Sequence, residues 1–220
     1  MAKYMDRFLC LMIIAWLATC GITHAITNYW DPSTNAGWQH GDGTWSVNVA
    51  DTNWGTNGTA PRLTWTNGFD AFFASTLAGS SRIIVSSPVT AGVVSIYGNN
   101  YNLDITNSGR LYITNGMTLG TGVANNPNSN NIVRVIGGAG VTSVWDNGLT
   151  SFTFSGRPSQ GNTFIVDGAG VAGSALATNM QDINVGQGSI DAAVIVTNKG
   201  ILYGRGLIKL GAGSLATTNS

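Results

Sequence analysis

The chain has 220 residues, only 9% of them charged, with ten Lys and Arg against ten acidic residues and a formal net charge of zero. So sparse and balanced a charge excludes nucleic acid and anionic lipid as partners, since both are held by clustered cations. Glutamate is missing, and Gly, Thr, Ser and Asn displace the strong helix formers, so an all-β chain is expected.

Residues 1–25 read as an export signal. Lys3 and Arg7 precede the apolar run from Phe8 to Ala18, which is too short to span a bilayer. Thr23-His24-Ala25 is a small-residue cleavage site, which would start the mature chain at Ile26. The rival reading is a lipoprotein signal at Leu17-Ala18-Thr19-Cys20, with lipid on Cys20. Cleavage after Ala25 removes both Cys10 and Cys20 and leaves neither a disulfide framework nor a cysteine metal site. The remainder carries nine Asp, six Arg and two Lys, and no stretch of it is expected to insert into a membrane.

Residues 26–78 have a different texture. Trp30, Trp38, Trp45, Trp54 and Trp65 lie among Asp, Asn and Gly, and the segment runs through Phe69-Asp70-Ala71-Phe72-Phe73. Two readings fit. Large aromatics can bury the open end of a repeat structure as a cap, or exposed indoles can stack on sugar rings. On the second reading all five tryptophans are glycan-binding candidates, with extracellular polysaccharide or another cell-surface component as partner.

Residues 79–220 repeat a phrase. Short apolar runs start at Arg82-Ile83-Ile84-Val85 and Val93-Val94-Ser95-Ile96-Tyr97, and an Asn-rich loop is expected from Val123 to Asn131. Runs closing at Gly140, Gly170 and Gly200 stand thirty residues apart, and Leu103-Asp104-Ile105-Thr106-Asn107-Ser108-Gly109 precedes them. A second series of similar phrases runs Leu119 to Gly122, Val185 to Gly188 and Leu210 to Gly213. The period points to a right-handed parallel β-helix, a β-solenoid with turns of about thirty residues. A β-sandwich with evenly spaced strands is the alternative. In the solenoid, Ile105, Ile136, Val166 and Val196 would form an inward column, since Asp104 in the neighbouring column would be an unpaired charge inside. The pattern breaks off at Ser220 in mid-phrase, as a truncated end would.

The Trp-rich opening (Trp30-Asp31, Gly43-Thr44-Trp45, Asn53-Trp54, Asp70-Ala71-Phe72-Phe73) is similar to that of bacterial autotransporter-associated β-strand repeat surface proteins. Asn130 to Val135 and Gly138 to Gly148 resemble their internal repeat, and Gly206 to Leu215 resembles the opening of their passenger-associated repeat. The resemblance implies a secreted or surface-displayed, adhesin-like β-helical protein and carries over no catalytic residue.

The residues themselves name no reaction. His40, in Gln39-His40-Gly41-Asp42-Gly43, has no second His beside it in the mature chain, and neither a G-x-S-x-G nor a phosphate-binding loop followed by a helix is present. Asp146, Asp167, Asp182 and Asp191 lack the short repeat of calcium-clamping coils. The expectation is a structural or adhesive protein with no catalytic, cofactor or metal site. The alternative is a carbohydrate-active β-helix that binds or cleaves polysaccharide.

Overall fold

The computed structural model describes residues 26–211 apart from 59–60, 76, 120–127, 155–158 and 187–188. The export signal with Cys10 and Cys20, most of the Asn-rich loop, and parts of the Leu119, Val185 and Leu210 phrases lie outside the described residues.

Period-two alternation builds the strands. Thr27–Trp30, Asp70–Phe73, Ile132–Ile136 and Thr163–Asp167 each bury every second side chain. The inward members are Asn28, Trp30, Ala71, Phe73, Val133, Val135, Phe164 and Val166, aromatic or β-branched except for Asn28 and Ala71. Among the described residues these strands assemble into an eleven-stranded, a six-stranded and a two-stranded sheet. One contiguous apolar core, running from Trp30 to Val185, holds the inward faces together.

The expected right-handed solenoid with regular thirty-residue turns and an aromatic N-terminal cap is not what forms. The eleven-stranded sheet is mixed, because Thr27–Trp30 pairs antiparallel with Trp54–Gly55 on one side and parallel with Asp70–Phe73 on the other. Partner intervals are also uneven. Ser81 pairs with Tyr101, Ala71 with Val94, Met117 with Phe152, and Thr27 with Asp70, so the step ranges from 20 to 43 positions. The period is kept by the later strands of the six-stranded sheet, where Asn102 pairs with Ile132, Ile132 with Thr163, and Thr163 with Ala193, and nearly so between two strands of the eleven-stranded sheet, where Ser143 pairs with Ala175 and Phe152 with Ile183. The sequence period therefore reports one stretch of the chain, while the segments before and after it in the eleven-stranded sheet set their own lengths.

The same unevenness shifts the inward column. It runs Val85, Ile105, Val135, Val166 and Val196, and Ile136 instead pairs with Asp167, because the step from Ile132 to Thr163 is one residue longer than thirty. A one-residue slip turns a side chain to the other face. Val196 is 46% exposed at the end of the column. Gly140, Gly170 and Gly200 are likewise not equivalent. Gly140 and Gly170 have left-handed backbones, at φ 72° and 81°. Gly200 is tucked against the Val166 carbonyl oxygen, as Gly109 is against that of Val85.

Asp104 points outward, yet its side chain is fully covered. Arg134 pairs with it directly across the ladder, at 2.6 Å from Nε to Oδ1, and Arg82 reaches Oδ2 at 3.0 Å. The carboxylate separates two guanidinium groups that would otherwise repel, which is how this position carries a shielded charge without burying it in the core.

Candidate functional site

Four of the five candidate tryptophans lie in the interior. Trp30, Trp45 and Trp54 are fully buried and Trp65 is 2% exposed. They pack edge to face, Trp30 on Trp54 at 5.3 Å and Trp45 on Trp65 at 5.0 Å, with Phe73 against Trp30, Trp45 and Trp54. The indole N–H of Trp30 donates to the Gly41 carbonyl, and that of Trp65 to the Thr90 carbonyl. No face of these four rings is open to a sugar, which corrects the expectation that all five could stack on one. Their polar neighbours in sequence occupy the turns, while the rings take the inward positions.

Trp38 differs. It is half-buried and lies flat on Tyr29, with ring centroids 3.9 Å apart and planes 16° from parallel. Tyr29 belongs to the outward positions of Thr27–Trp30, and its lateral partners extend across the sheet. Tyr29 pairs with Phe72, Phe72 with Ser95, Ser95 with Thr118, Thr118 with Thr153, Thr153 with Asn184, and Asn184 with Lys209. On its other side Tyr29 pairs with Gly55, where an added Cβ would touch the Trp38 ring. The row is thus Trp38, Tyr29, Phe72, Ser95, Thr118, Thr153, Asn184 and Lys209. Tyr97 adds a fourth ring, 5.5 Å from Phe72.

The row is aromatic at one end and hydroxyl- or amide-bearing at the other, with one residue per strand and a strand spacing of about 4.8 Å. Asn184 is 8% exposed and its Oδ1 has no hydrogen-bond partner. A buried acceptor left open costs about 1–3 kcal/mol. Sequence reading missed this row because its members come from seven separate strands. The visible signal was only the Tyr-Trp and Phe-Phe pairs, in which one ring faces in and its neighbour out.

The titratable groups serve structure. Asp31 is buried and 2.9 Å from the Arg62 guanidinium, and loss of water raises its pKa despite that partner. His40 bonds the Ser81 hydroxyl at 2.9 Å through Nδ1 and lies against Tyr101, and burial lowers its pKa. A lowered pKa means the unfolded chain binds the proton more tightly. Stability is therefore expected to fall as pH drops through the unfolded value of 6.5, and thermal melts of His40→Gln should lose that part of the slope. The four Asp residues weighed as calcium ligands do not converge. Asp167 closes its own turn by accepting from the Ala169 N–H, Asp191 stands exposed, Asp146 pairs with Arg110, and Asp182 pairs with Lys209. No group of three metal-ligating side chains occurs among the described residues. Comparison with protein-family models, with curated proteins and with solved structures found no match.

Proposed function

We propose that the chain is an extracellular adhesive scaffold that holds polysaccharide against the outer face of its eleven-stranded sheet, without turning it over. The observation that carries the reading is the row from Trp38 to Lys209. It offers the stacked Trp38 and Tyr29 rings and the half-buried Thr118 and Thr153 hydroxyls in a line, the groups that hold a glycan chain weakly. The export signal and the resemblance to autotransporter-associated surface proteins support a place at or beyond the cell surface.

Binding is favoured over cleavage at the Lys209 end of the row by the state of its carboxylate. General acid–base catalysis needs a carboxyl whose pKa is pushed toward neutrality. Asp182, beside the end of the row, is shifted the other way, by the Leu207 N–H and the Lys209 ammonium.

The test is retention on soluble xylan, laminarin, dextran and polygalacturonate, with and without calcium. Retention should be calcium-independent, and Trp38→Ala should weaken it about threefold to tenfold, the worth of one aromatic stacking contact. Unchanged retention by Trp38→Ala would move the binding face elsewhere, and release of reducing ends would replace adhesion by catalysis.

A further inference from the structure

A second surface feature lies where the eleven-stranded sheet bends. Ser143–Phe154 and Ala175–Val185 are its longest strands, and their pairing slips between Asp146 and Thr150 and again before Phe152. Gly148, Leu149 and Asn179 all have left-handed backbones at this corner, with φ of 57°, 63° and 56°. For leucine that conformation costs roughly 1–2 kcal/mol, and strain of this kind collects at functional sites. The bend opens a cleft of about 630 Å³ and beside it a smaller one of about 380 Å³, and Leu149 and Arg205 line both.

The charges in the two clefts do not cancel. Asp146 accepts from Arg110 at 3.2 Å, from Asn179 at 2.9 Å and from the Gly148 N–H at 3.2 Å. Asp182 is held by Lys209 and by the Leu207 N–H, each at 3.0 Å. Arg205, exposed between them, has no ion pair among the described residues. One positive charge is thus left over at the junction. Around it are two apolar surfaces that face outward, Tyr112 at 38% and Leu149 at 47% exposure.

From this arrangement we infer that the corner cleft is a second binding site, for an anionic saccharide whose acidic group sits on Arg205 while its ring covers Tyr112 and Leu149. A planar guanidinium suits a carboxylate or sulfate bidentately. A single uncompensated cation on a chain of zero net charge holds one acidic group of a saccharide at a time, and among the described residues there is no row of cations along which a polyanion tract would gain cumulatively. Arg205, Tyr112 and Leu149 are not members of the Trp38 row, which meets the smaller cleft at the Lys209–Asp182 pair, so each site can fail without the other.

Calorimetric titration of the full chain with hexagalacturonate, its methyl ester and dextran sulfate tests it. Hexagalacturonate should bind more tightly than the ester, and Arg205→Gln should weaken it about tenfold or more, the worth of one charge-assisted hydrogen-bonded pair. Trp38→Ala should leave that difference between acid and ester intact. Dextran sulfate binding that also depends on Arg205 widens the site to any sugar-borne anion, and its absence narrows the site to carboxylates. Equal binding of acid and ester, or an Arg205→Gln protein that binds as the wild type does, overturns the inference. The ester comparison requires no variant to fold.

Discussion

Asn131→Ala is expected to lower stability by about 2–4 kcal/mol, seen as an earlier urea midpoint at unchanged slope. Asn131 is fully buried and joins three parallel strands where they begin. Its Oδ1 accepts from the Tyr101 N–H at 2.8 Å, and its Nδ2 donates to the Gly98 carbonyl and to Asn162 Oδ1, each at 3.0 Å. Its own N–H donates to the same Asn162 oxygen at 2.9 Å. Alanine keeps only the backbone bonds, that one and the one from the Thr163 N–H to its own carbonyl, and leaves the Tyr101 N–H without its acceptor. A loss below about 1 kcal/mol would mean that the strand ladders alone fix the register.

The second large effect is at Gly109, which follows Asn107 and Ser108, both with left-handed backbones. Its N–H closes the turn on the Thr106 carbonyl at 2.8 Å, and a Cβ there would overlap the Val85 carbonyl oxygen on the next strand. Backbone cannot move aside as a side chain can, so Gly109→Ala should cost about 3 kcal/mol or more. Gly140→Ala is the contrast. Its φ is 72° but nothing lies within 4 Å of the added carbon, so about 1 kcal/mol of backbone strain is the whole expected penalty. Thermal melts of the two variants should differ by several degrees, and equal shifts would contradict the close approach.

Much of the local structure could be read in the residues. The run Arg82-Ile83-Ile84-Val85 forms within Ser81–Val85, Val94–Ile96 forms where β-branched residues cluster, and Asp104 faces outward, where Arg82 and Arg134 pair with it. The larger assembly was not readable. The spacing of closing glycines samples the strands that pair at about thirty residues, and the unevenly spaced strands elsewhere in the eleven-stranded sheet leave no periodic mark. Asn131 looked like the end of a loop, because asparagines near glycine usually turn the chain. Its interior role shows only when Asn131-Ile132 is set beside Asn162-Thr163, thirty-one positions on. The corner at Leu149 was invisible for a different reason, since no propensity places leucine in a left-handed backbone and only the surrounding sheet imposes it.

Fluorescence titration tests polysaccharide binding on the outer row most directly. Trp30, Trp45, Trp54, Trp65 and Trp145 are buried, so among the described tryptophans only Trp38 can respond to a ligand stacked on the surface. Adding laminarin or xylan should produce a saturable change in the solvent-exposed part of the emission, absent from Trp38→Phe, with no reducing ends released. Sugar that binds by sedimentation but leaves Trp38 emission unchanged, or that is cleaved during the titration, would contradict the account.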